Sequence, residues 1–120
     1  MGQGSIIGYD LSEEGCQISY YNEAQHEPET VKNESGEYQI PLVIGCKNDA
    51  WYIGEEARSH AKHKDGAMAT DLLAKSMHGA KIHLGRRTYD AVWLLAKFIR
   101  LTLQQFDKIE SIVFCVPCLL

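Results

Sequence analysis

The chain opens with an apolar run carrying a single acid, Ile6-Ile7-Gly8-Tyr9-Asp10-Leu11. The polar turn Ser12-Glu13-Glu14-Gly15 and a second apolar run, Cys16-Gln17-Ile18-Ser19-Tyr20-Tyr21, follow. Two strand-like runs around a short polar turn predict a β-hairpin. The span from Asn22 to Glu37 is polar and holds Pro28 and the turn-forming Asn33-Glu34-Ser35-Gly36, with Glu29-Thr30-Val31-Lys32 as a third strand between turns. Ile40 to Cys46 and Trp51 to Ile53 flank Lys47-Asn48-Asp49-Ala50 and predict a second hairpin. Pro41 suits the start of its strand, where no ladder hydrogen bond needs its missing N–H.

From Gly54 the pattern turns helical. Glu55 and Glu56 stand in the first turn and Lys62-His63-Lys64 in the last, complementing the helix dipole, and Asp65-Gly66 ends the segment. Met68, Leu72, Leu73 and Met77 have helical spacing, so a short second helix is expected over 67–78, with Gly79 as a left-handed cap. Ile82-His83-Leu84 reads as a short connecting strand. Thr88 offers an N-cap hydroxyl to the longest helix, expected to run to Phe106. Val92, Leu95, Ala96, Ile99, Leu103 and Phe106 fall on one face of it, and Ala91, Leu94, Phe98 and Leu101 on an adjacent one. Asp90, Lys97, Arg100 and Gln104 leave a narrow solvated stripe, so the helix is expected to be covered on two sides. Ser111 to Val116 then reads as a central strand buried on both faces, and a helical crossover into it implies parallel pairing.

The chain has 120 residues, 45% of them hydrophobic and 23% charged, which describes a single small domain. A formal charge of -4 and the lack of any Lys/Arg block argue against nucleic acid or an anionic membrane as the main partner. The longest apolar stretches fall well short of the roughly 20 residues that cross a bilayer. The first residues form no export signal, so the expected location is cytoplasmic, where Cys16, Cys46, Cys115 and Cys118 stay reduced.

In order, these segments resemble the N-terminal lobe of the actin and heat-shock-seventy ATPase superfamily, above all the DnaK-like chaperones. Ile7-Gly8-Tyr9-Asp10-Leu11 is similar to the family's first phosphate-binding strand, Ile-Gly-Ile-Asp-Leu-Gly-Thr-Thr. Ile40-Pro41-Leu42-Val43-Ile44 through Gly54-Glu55-Glu56-Ala57 is similar to its Pro-Ser-Val-Val hairpin and Gly-x-x-Ala helix start. Thr70 with Ala74-Lys75 matches Thr-x-x-x-Ala-Lys, and Ser111 to Pro117 resembles the strand Ala-Val-Ile-Thr-Val-Pro after the long helix.

The resemblance implies an α/β fold, a ribonuclease-H-like ATPase lobe whose mixed sheet has its strands early and a central strand after the long helix. It implies ATP and magnesium as cofactors. Asp10 would hold the metal through water, Gly8, Ser12, Glu13 and Glu14 would lie at the phosphates, and Lys75 would reach the γ-phosphate. The chain departs from the family where Ser12-Glu13-Glu14 replaces Gly-Thr-Thr, which sets two carboxylates where a triphosphate would sit. The stretch from Lys75 to Thr88 is also shorter than in the chaperones.

The sequence stops before a second phosphate loop, so the expected entity is one partial domain, 1–120, cut from a longer chain and inactive alone. Its expected partners are the missing C-terminal part of the same chain and, without that part, further copies of itself. Two alternatives stand beside this reading. A degenerate member would keep the fold as an interaction or scaffold module without hydrolysing ATP. A thiol redox protein would use Cys115-Val116-Pro117-Cys118, which follows a strand as in thioredoxin-type proteins. Zinc is disfavoured because Cys16 and Cys46 are single and far apart, and His60 and His63 read as surface residues.

Overall fold

The computed structural model describes residues 4–21, 27–33, 35–62 and 67–116. It is mixed α/β, with three sheets and short helices, and it divides into two compact units. One unit joins the residues up to Ile40 with those from Gln104 onward, and the other is the continuous segment Pro41–Leu103.

The first unit is built on the expected hairpin. Strands β1 (Ser5–Leu11) and β2 (Gly15–Tyr21) pair antiparallel from Ile6↔Tyr21 to Leu11↔Cys16. Ser12 and Gly15 exchange backbone hydrogen bonds of 2.8 and 3.2 Å across the turn. Two residues of β3 (Glu29–Thr30) extend the sheet from β2, where the Tyr20 hydroxyl donates to Glu29 Oε2 at 2.9 Å. The short strand β4 (Ile40–Pro41) also pairs with β2. Asn33 organises the turn before it. Its side-chain Oδ1 accepts the amides of Ser35 and Glu37, and its Nδ2 donates to the Gln39 carbonyl. Ile7, Tyr9, Leu11, Cys16 and Ile18 alternate along β1 and β2 as the buried face.

In the second unit, β5 (Ile44–Lys47) and β6 (Ala50–Ile53) form a hairpin around Asn48 and Asp49. Both turn residues have positive φ, the geometry whose twist matches a two-residue hairpin loop. Helix α1 (Gly54–Ala61) begins where expected, with Glu55 and Glu56 in its first turn. His60 stacks on Tyr52 with ring centroids 3.8 Å apart, so it is half-buried rather than a surface residue. His63, Lys64 and the Asp65-Gly66 stop lie outside the described residues.

Four expectations are corrected. Ala67–Ala69 is not helical but forms β7, antiparallel to β5. Gly45 permits the pairing, because a Cβ there would stand 2.7 Å from the Ala67 carbonyl oxygen. Helix α2 is therefore confined to Leu72–Met77, and it closes as foreseen at Gly79. The Ala80 amide donates to the Lys75 carbonyl and the Gly79 amide to that of Ser76, the paired bonds of a Schellman stop.

Thr88 caps no helix. It lies in β9 (Arg87–Asp90), paired with β8 (Lys81–Leu84), and α3 begins at Ala91 and ends at Leu103. Local pairing with the preceding strand overrides the capping hydroxyl. The third correction concerns cover on α3: Ala91, Leu94, Phe98 and Thr102 are buried, whereas Val92 and Ala96 on the other apolar face are exposed.

The fourth concerns the last strand. β10 (Ile109–Cys115) pairs parallel with β1, as expected, from Ile6↔Ser111 to Asp10↔Cys115. It is not a central strand, however, because the sheet order is β10-β1-β2-β3 and β10 occupies one end. Val113 is 66% exposed and Phe114 45%. A continuous apolar run signals a strand able to be covered on both faces, but no described strand lies on its far side.

Phe98→Ala removes a fully buried ring and is expected to destabilise the protein by about 3–5 kcal/mol. Val92→Ala, on the exposed face, should stay within about 0.5 kcal/mol of the parent. Urea unfolding measures both, and equal effects would contradict the assignment of the two faces.

Candidate functional site

Because β-strand side chains alternate, the residues of β1 and β2 that alternate with the buried Ile7, Tyr9, Cys16 and Ile18 share the other face of the first unit's sheet, together with the β10 and β3 residues paired to them. The cross-strand register sorts them into two rows. Val113, Gly8, Ser19 and Thr30 lie side by side, as do Cys115, Asp10 and Gln17. Between them is a recess of about 330 Å³, lined by these seven residues and by Tyr9. Gly8 creates the depth, since a Cβ at that position would come within 2.7 Å of Ser19 Oγ. Of the residues expected at a phosphate site, Gly8 and Asp10 line this recess. Gln17, Ser19 and Thr30 also line it but carry no signal in the sequence, and Cys115, expected only as a redox thiol, joins them because strand register sets all four on one face with Asp10.

The turn beyond Asp10 has its own chemistry. Ser12 Oγ donates to the Gly15 carbonyl at 3.1 Å, so its hydroxyl already serves the turn. Glu13 is half-buried and Glu14 exposed, and neither has left-handed backbone. Lys75, half-buried in α2, belongs to the second unit, whereas Asp10 belongs to the first. Thr70 Oγ1 donates to Asp71 Oδ2 at 3.3 Å, next to the N-terminus of α2.

A cation fits this arrangement only in one way. Among the described residues no three His, Cys, Asp or Glu side chains gather as a ligand cluster, so no closed metal cage is present. A single exposed carboxylate beside hydroxyl and amide groups suits a hydrated magnesium ion held through its waters, the mode in which magnesium keeps most of its hydration shell.

The cysteines differ in environment. Cys16 is buried, and this pushes its thiol from the usual 9.0 up to about 11, with a hydrogen bond to Tyr9 pulling the other way. Cys115 is exposed on β10, and its expected redox partner Cys118 lies outside the described residues. At neutral pH an alkylating reagent should label Cys115 rapidly and spare Cys16 until the protein unfolds, as mass spectrometry of digests would read; rapid labelling of Cys16 in the folded protein would contradict its burial.

The raised Cys16 pKa also sets a pH dependence. Between pH 9 and 11 the unfolded thiol loses its proton and the folded one keeps it, so stability is fully present below pH 9 and falls as pH rises. The loss should reach about 2 kcal/mol near pH 11, and Cys16→Ala should remove that component of the urea-midpoint shift.

No curated protein matches the sequence. Residues 27–119 match the model described as family of unknown function (DUF5716) C-terminal, and with most of its length inside that match the chain belongs to this family.

Proposed function

We propose that this chain supplies one half of a nucleotide site of the ribonuclease-H-like, chaperone-type ATPase kind, with the recess at Asp10 receiving a magnesium-bound polyphosphate. The observation that carries the reading is the placement of Asp10. It stands on the open face of β1, next to a two-residue hairpin turn, between an antiparallel strand and a parallel one reached through a helical crossover. This is the arrangement that the sequence resemblance leads one to expect of a first phosphate-binding hairpin.

Bound magnesium would supply neutralisation of phosphate charge. The chain's own part is to hold and orient. Asp10 would accept hydrogen bonds from the water of a hydrated magnesium ion, Ser19, Thr30 and Gln17 would offer hydroxyl and amide donors, and Gly8 leaves room for a ligand to approach the backbone. In this reading the residues at the recess bind the ligand and do not by themselves hydrolyse ATP.

A second reading, a degenerate member that keeps the fold as an interaction module, is favoured by the engaged Ser12 hydroxyl and the two carboxylates at the turn. An NMR titration of the protein with magnesium-ATP separates the two. Half a site predicts weak binding, with a dissociation constant on the order of millimolar, or about 4 kcal/mol. The amides of Gly8 and Asp10 through Gly15 should shift, magnesium should be required, and Asp10→Asn should abolish the response. No shift, or one unchanged in Asp10→Asn, would leave the interaction module as the reading.

A further inference from the structure

The two tryptophans of the chain, Trp51 and Trp93, meet at one place in the second unit. The Trp93 ring stacks on Tyr89 at 5.2 Å, and Trp51 meets Tyr89 edge-on at 5.5 Å and Trp93 at 5.6 Å. Lys97 Nζ sits 5.9 Å from the centre of the Trp51 ring. The cluster is not sealed: Trp93 is 47% exposed.

It continues onto the outer face of α3. Val92, Ala96, Ile99, Arg100 and Leu103 recur at helical spacing opposite the buried stripe, with Trp93 and Lys97 on their flank. Val92 is 57% exposed, Ala96 and Arg100 are exposed, and Ile99 and Leu103 are half-buried. An apolar strip of this kind, anchored by an aromatic platform, has the composition of an interface core.

Charge selects the occupant. Helix α3 contains Lys97 and Arg100 and no acidic residue, and among the described residues neither cation has a carboxylate partner. The strip is therefore locally basic on a chain whose formal charge is -4. At a rise of 1.5 Å per residue α3 presents about 20 Å of this surface, room for three to four turns of a second helix packed along it.

We propose that the outer face of α3 and the Trp51–Tyr89–Trp93 platform form a docking surface for an acidic amphipathic helix of another protein. Apolar residues at i, i+3, i+4 and i+7 of that helix lie against Val92, Ala96, Ile99 and Leu103, and its flanking carboxylates pair with Lys97 and Arg100. Trp93 is the anchor, being large, rigid and half-exposed at the edge of the strip. The proposal is independent of the recess at Asp10, which lies in the other unit.

Because both tryptophans belong to the surface, intrinsic fluorescence reports its occupancy directly. The probe is a capped peptide of about sixteen residues, or roughly four turns, with leucine at the i, i+3, i+4 and i+7 positions and glutamate and alanine elsewhere. Its twin carries lysine in place of every glutamate.

The glutamate peptide should shift the tryptophan emission with a dissociation constant on the order of micromolar and weaken with added salt, while the lysine peptide should leave the emission unchanged. Arg100→Glu, at an exposed position that leaves both reporters in place, should lower the affinity about tenfold, and Trp93→Ala by at least as much. Equal binding of both peptides, or binding of neither, overturns the proposal. So does an emission that depends on protein concentration alone together with a dimer in light scattering, which would assign the face to a second copy.

Discussion

The parallel ladder between β1 and β10 is the constraint on which the first unit depends. Tyr9 pairs with Phe114, and their rings meet at 5.3 Å, although almost the whole chain separates them in sequence. The second unit makes its sheet and hairpin contacts within one continuous segment and can form locally. The first unit must bring both ends of the chain together before its sheet is complete, a non-local closure that comes late and slowly in folding. Without β10 the recess at Asp10 would lose the wall made by Val113 and Cys115.

Elements held by local rules were legible in the sequence. The β1–β2 hairpin, the Asn48-Asp49 turn, the start of α1 and the Gly79 stop each follow from a turn or capping preference of a few residues. The errors arose where pairing with another strand, near or distant, decided the outcome. Met68 fits a helical spacing with Leu72, but β5 and the bare backbone at Gly45 take Ala67–Ala69 into a sheet. Thr88 is a good capping residue and becomes a strand residue because β8 precedes it closely. Ser111 to Val116 carries the composition of a buried strand, and composition cannot say whether a cover is present.

The candidate site divides in the same way. Asp10 and Gly8 were legible because they sit in one strand with a recognisable pattern. Ser19, Thr30 and Gln17 became visible only through the register that sets them beside that strand, and the same register places Cys115, expected only as a redox thiol, next to Asp10. Lys75, linked to Asp10 by resemblance alone, belongs to the other unit. The chain thus carries two distinct surfaces: a recess of mixed polar and apolar lining, floored by glycine, in the first unit, and an apolar, basic helix face in the second. The recess sets one carboxylate beside hydroxyl, amide and thiol groups, whereas the helix face sets two cations beside apolar residues.

The most direct test of this account is amide hydrogen exchange in a Val113→Pro protein. Proline at the residue paired with Gly8 removes an N–H and disrupts the parallel ladder in its middle. The account predicts that amides of Ile6 to Leu11 lose much of their protection while those of α2 and α3 keep theirs. If β1 exchanged as slowly as in the parent protein, the parallel pairing would not be what holds the recess together.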